Sequence, residues 1–100
     1  VITDNWKKIA EHNGLDGSLI KLGEECDELD QAIEEYIDAR NNATSNAEIN
    51  EARDHVILEC ADVRACVDQV LWHLHGEEEC DAAMQWKLIR TMQRIRDDAE

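Results

Sequence analysis

One hundred residues carry 24 acidic and 10 basic side chains, a formal charge of −14. That balance argues against a nucleic-acid polymer or an anionic membrane as partner, since both would be repelled. The length fits a single domain over 1–100, with a core close to the size at which burial is marginal without partners.

The chain has no proline and no phenylalanine, and helical periodicity runs through most of it, so the expected fold class is all-α. Thr3 or Asp4 can cap a short first helix with inner face Trp6, Ile9 and Ala10, ending around Asn13-Gly14. Asp16 or Ser18 opens a second helix to about Arg40, with a main stripe of Leu22, Cys26, Leu29, Ile33 and Tyr36. Glu25 sits on the shoulder of that stripe. The polar run Asn41 to Asn46 is the expected turn, and Ser45-x-x-Glu48 fits a capping box for the next helix. That third helix runs about thirty residues, roughly 45 Å, until Gly76 stops it. It carries one apolar stripe through Ile49, Ala52, Val56, Cys60, Val63, Val67, Val70 and Leu74, and a second through Ile57, Ala61, Ala65 and Trp72. A helix apolar on two sides is buried on two sides, which points to a homo-oligomer. Glu77 to Glu79 suit the first turn of a fourth helix, where the macrodipole favours acids. Its apolar face is Met84, Leu88, Met92 and Ile95, and Lys87, Arg90 and Arg94 fall within about 60° of one another on another side.

Two acidic clusters, Glu24-Glu25-Cys26-Asp27-Glu28 and Glu59-Cys60-Ala61-Asp62, stand in the two long helices. Carboxylates three apart share a helix face, so Glu25 with Glu28 and Glu59 with Asp62 each make a two-pronged oxygen clamp. The cluster centres lie near positions 26 and 60, which puts their midpoint near 43, inside the expected turn. An antiparallel pair of helices therefore brings the clamps level. Two unit charges about 4 Å apart repel by roughly 4 kcal/mol at an effective dielectric of about 20, so such a site must protonate, open or bind a cation. Hard divalent ions take oxygen ligands, and Mg²⁺ is held by carboxylates plus the phosphates of a substrate. Solvated surface acids are the plain alternative in so acidic a chain. Against it, Glu59 and Asp62 lie in a narrow seam between the two apolar stripes, with His55, Cys66, Gln69 and His73.

These residues resemble those of the MazG-like all-α nucleotide pyrophosphohydrolases. The family hallmark of EExxE followed by ExxD stands here as Glu24-Glu25-x-x-Glu28 and Glu59-x-x-Asp62. Lys87-x-x-x-Thr91-x-x-Arg94 is similar to the family's K-x-x-x-N-x-x-R, with Thr91 in place of asparagine. Thirty residues separate Glu28 from Glu59, toward or beyond the long end of the family range. The resemblance covers roughly residues 15 to 95. It implies a four-helix bundle (short first helix, two long antiparallel helices, C-terminal helix) assembled as a dimer or a dimer of dimers. It also implies cleavage of a nucleoside triphosphate, deoxy by preference, to monophosphate and pyrophosphate, in a role that clears unwanted nucleotides. Mg²⁺, or Mn²⁺ in its place, would sit on Glu25, Glu28, Glu59 and Asp62, with Glu24 a further catalytic carboxylate. Lys87, Arg90 and Arg94 would bind phosphate, while Trp6 and His12 would contribute to the nucleotide pocket.

Bland readings compete for several of these residues. Trp6 suits core packing as well as base stacking, His55 and His73 suit hydrogen bonds better than Mg²⁺, and Cys66 suits packing. Trp72 and Trp86 suit a subunit interface. The four cysteines lack paired zinc-site spacing and read as reduced, buried thiols of a cytoplasmic protein, and neither a signal peptide nor a transmembrane stretch is read. A carboxylate-bridged di-iron bundle would need Glu-x-x-His on two helices, which the sequence lacks. A non-enzymatic acidic helical oligomer, acting as an interaction module, is the remaining rival.

Overall fold

A computed structural model of the chain describes residues 2–42 and 44–99. Ala43, on which the expected turn is centred, lies outside them, as do the two terminal residues of the 1–100 domain. The described residues form three helices and no strand: α1 (Asp4–Asn42), α2 (Asn46–Leu74) and α3 (Glu77–Ala99).

The two helices expected before residue 40 are one helical span with a single break. Gly14 alone leaves helical geometry, at φ 71° and ψ 171°, a combination essentially reserved for glycine. No proline follows to hold the chain open, so the helix resumes at once instead of at Asp16 or Ser18. A Cβ built at Gly14 meets nothing within 4 Å, so only backbone strain opposes substitution. Gly14→Ala is expected to cost about 1–3 kcal/mol, read as a lowered thermal midpoint with helix content retained below it.

The ends of α2 follow from local chemistry. Ser45 Oγ accepts from the Glu48 backbone N–H at 3.3 Å, while the Glu48 carboxylate accepts from the Thr44 N–H and hydroxyl at 3.3 Å each. The expected capping box thus closes one residue earlier on its return side. At the other end His75, not Gly76, takes the left-handed conformation (φ 51°, ψ 37°). The Gly76 N–H then donates to Leu71 O at 3.0 Å and the His75 N–H to Trp72 O at 3.2 Å, the hydrogen-bond pair of a Schellman cap.

α1 and α2 pair antiparallel along a seven-residue repeat. Ser18, Leu22, Glu25, Leu29, Ala32, Tyr36 and Ala39 are buried or half-buried on α1; Ile49, Ala52, Val56, Glu59, Val63, Cys66, Val70 and His73 are so on α2. Alternating steps of three and four residues on both helices are the signature of a coiled-coil seam. The stripe on α1 is therefore rotated from the one expected: Cys26 and Ile33 face outward, and Glu25 moves from the shoulder into the seam. On α2, Cys60 and Leu74 are exposed where the first expected stripe put them inside. The second stripe has no intrachain cover at Ile57 and Ala61, whereas Ala65 and Trp72 are half-buried.

α3 leaves this pair. Its backbone packs sparingly against α2 and not against α1, although Glu77 to Glu79 of its first turn share a cleft with Lys7 of α1, and the extents are 45 × 42 × 20 Å. No α3 residue is buried, and its large apolar side chains range from 42 % exposed at Met92 to 69 % at Ile89. One chain is thus a helical hairpin with a projecting arm, and the fourth side of a bundle is not closed within it.

Candidate metal centre

Within the α1–α2 seam, two positions that ought to be apolar are acids. Glu25 is only 6 % exposed, and the Glu59 side chain is 13 % exposed. Asp62, three residues after Glu59 and so on the same helix face, stands at the open edge. One oxygen from each of Glu25, Glu59 and Asp62 lies within 4.8 Å of the others. No other such group of three His, Cys, Asp or Glu side chains exists among the described residues.

Glu28 belongs to the same cluster electrostatically. The neighbouring Glu25 carboxylate, as hydrogen-bond partner and then as like charge, raises the Glu28 pKa above its ordinary 4.5, with burial and Glu59 adding to the effect. Like charges crowded together favour the protonated form. Three of the four carboxylates expected to converge, Glu25, Glu59 and Asp62, do so, because antiparallel pairing sets residues near 25 level with residues near 60; Glu28 stands exposed outside that close group.

Compensation inside the chain is incomplete. Lys21 Nζ lies 3.3 Å from Glu25 Oε1, and His55 Nε2 lies 3.3 Å from Glu59 Oε1. The second oxygens, Glu25 Oε2 and Glu59 Oε2, are buried with no hydrogen-bond partner. A buried carboxylate oxygen without a donor is costly, and a divalent cation is the partner that would relieve two at once. This is the observation on which the fit of a hard, oxygen-seeking ion rests.

A cleft of about 240 Å³ opens directly onto the cluster, with Trp6, Ile9, Asn13, Lys21 and Gln69 in its walls beside Glu25 and Asp62. Asn13 Nδ2 donates to Gln69 Oε1 at 3.5 Å and Gln69 Nε2 to Ala65 O at 3.2 Å, so the amide wall is held from both helices. The volume falls below the roughly 300–1,000 Å³ usual for small-molecule sites.

The remaining candidates divide. Trp6 is in the cleft wall, whereas His12 is exposed outside it and Glu24 is exposed beside the cluster. Lys87, Arg90 and Arg94 are exposed on α3 and line neither cluster nor cleft; the Arg90 guanidinium stacks 4.5 Å over Trp86. His73 Nε2 donates to Ala10 O at 2.9 Å and ties the first arm of α1 to α2. The Cys66 thiol is pushed up by burial and then by Glu25, against a smaller opposing effect of Lys21, which disfavours the thiolate. Lys21 was not singled out from sequence, although its place four residues before Glu25 is the spacing of a helical ion pair.

Comparison of the chain with protein-family models, with curated proteins and with solved structures finds no match.

Proposed function

We propose that this chain is a Mg²⁺-dependent nucleoside triphosphate pyrophosphohydrolase, releasing a monophosphate, deoxy by preference, and pyrophosphate. The observation that carries the reading is the pair of buried, unpartnered oxygens on Glu25 and Glu59, beside a cleft that Glu25 and Asp62 line. Glu25, Glu28, Glu59 and Asp62 would hold Mg²⁺, or Mn²⁺ in its place. Bound there, the ion would neutralise phosphate charge and lower the pKa of a coordinated water. Glu24, exposed on α1, would be a further catalytic carboxylate, as the sequence resemblance implies. Trp6 supplies an aromatic wall for a base, and Lys21 a cation at the phosphate end. A role in clearing unwanted nucleotides is what the sequence resemblance implies, and a cytoplasmic setting is what the unpaired cysteines suggest.

Lys87, Arg90 and Arg94 enter this reading only through a second copy of the chain, because α3 does not reach the cleft of its own chain. Exposed area supports such an assembly. The chain exposes 7788 Å², against about 5,800 Å² for a compact monomer of 11.5 kDa. The excess of roughly 2,000 Å² is of the size that obligate homodimers bury, and large apolar side chains stand exposed on all three helices, Ile20, Leu58 and Ile89 among them. A homodimer, or a dimer of dimers, would close the four-helix bundle and deepen the small cleft. Light scattering that reports a monomer at micromolar concentration sinks this part of the proposal.

The test of the activity is a panel of nucleoside triphosphates incubated with Mg²⁺, with products resolved. Monophosphate plus pyrophosphate is expected; diphosphate plus orthophosphate would place the cut at the wrong bond. The rival reading, a non-enzymatic acidic helical oligomer, is favoured by one observation: the basic strip and the acidic clamp lie apart in the chain. It expects no turnover of any nucleotide. Nothing in the described residues suits a membrane span, since no helix is long and apolar enough to cross one.

A further inference from the structure

Lys21 lies four residues before Glu25 on α1, and its Nζ is 3.3 Å from Glu25 Oε1. It is the one cation among the described residues that line the cleft, where Glu25 and Asp62 supply the acids. The two partners differ sharply in freedom. Side-chain exposure is 7 % for Glu25 and 55 % for Lys21, so the carboxylate is fixed in the seam while the ammonium ends a flexible stem in the cleft wall. Lys21 is the only ion-pair partner of Glu25 among the described residues, and Glu25 Oε2 is buried with none. An ion pair with one half-exposed member contributes little, so Lys21 can leave at small cost. A divalent ion on Glu25 neutralises the same charge more fully and repels the ammonium. Phosphate that accompanies such an ion into the cleft is the next anion within reach, and a lysine offers it a compact point charge.

We propose that Lys21 is an exchangeable counter-ion of the clamp: it stands in for the metal on Glu25 while the ion is absent, and passes to the phosphates of the substrate when the ion enters. This role rests on the metal-clamp reading above. Lysine stays charged at neutral pH, so the exchange changes the partner of the ammonium and not its protonation. One cation thereby serves both states. It offsets part of the cost of the buried acid before the ion binds, and part of the phosphate charge afterwards.

The test uses Lys21→Met in the full chain, which keeps the stem and removes the charge. Two binding measurements, neither of which needs turnover, are expected to move in opposite directions. Mn²⁺ alone, followed by the electron paramagnetic resonance signal of the free ion, should bind about 2–5-fold more tightly, because no ion pair has to be broken. Inorganic triphosphate at saturating Mg²⁺, followed by calorimetry, should bind about 10-fold or more weakly, through loss of a charged hydrogen-bond donor. A lysine with only a structural role gives losses in both or in neither. Weaker or unchanged Mn²⁺ binding, or unchanged triphosphate binding, overturns the exchange and leaves the clamp standing. Failure of the wild-type chain to bind Mn²⁺ at all overturns the clamp and this inference together.

Discussion

Glu59→Gln and Asp62→Asn are each expected to reduce Mg²⁺-dependent release of pyrophosphate by at least about 1,000-fold, on the order of 4 kcal/mol in the barrier, with helix content unchanged. The substitutions are nearly isosteric and remove one charge each, so the seam is repacked very little. What is lost is a negative oxygen ligand for a hard ion. Glu25→Gln adds a contrast of sign. Glu25 is buried among like charges, its Oε2 has no partner, and its one ion pair goes to a half-exposed lysine, of a kind worth little. Neutralising it should therefore raise the thermal midpoint of the metal-free protein while abolishing turnover. An active site commonly stores stability cost in this way. Wild-type turnover in either Glu59→Gln or Asp62→Asn would remove the site assignment.

Millimolar Mg²⁺ is expected to raise the melting temperature of the wild-type chain well beyond any effect of matched NaCl. An ion that binds only the folded state adds about 2.7 kcal/mol at a hundredfold excess over its Kd. For a domain of this size each kcal/mol moves the midpoint by about 4–8 °C, so a shift on the order of 10–20 °C is within reach. General screening of a −14 chain also stabilises, which is why the sodium control matters: screening depends on ionic strength, whereas the clamp discriminates by charge and ligand geometry. The shift should vanish in Glu59→Gln and Asp62→Asn. Equal shifts with Mg²⁺ and with NaCl of the same ionic strength would leave only solvated surface acids, and the interaction-module reading would then be preferred.

The meeting of Glu25 with Glu59 and Asp62 was legible in the sequence, and for a simple reason. Spacing of three within each helix sets Glu25 with Glu28 and Glu59 with Asp62, and a turn near their midpoint sets the pairs level. These are local and near-local constraints that one sequence carries. The all-helical class, the Ser45 cap and the acidic first turn of α3 are local in the same sense.

Other features depend on which surface a helix meets, and there the sequence was ambiguous. At 100° per residue Cys26 and Ile33 belong to the inner stripe of α1, but the partner helix selects a seven-residue repeat that runs through Ser18, Glu25 and Ala32 instead. Burial of Glu25, and with it the unpartnered oxygen that argues for a cation, is a property of the pair and not of either helix. The contact of His55 with Glu35, twenty residues away, and the placing of Lys21 and Gln69 around one cleft have the same origin. So does the isolation of Lys87, Arg90 and Arg94: periodicity put them on one face of a helix, but only the direction α3 takes after Gly76 decides what that face can reach. Sequence by itself determined the helical class and the spacing of the acids within each helix, because backbone hydrogen bonding and side-chain spacing act within a few residues. Tertiary structure alone decided which acids are desolvated and which cations stand beside them, because burial is set by the surface that packs against each residue.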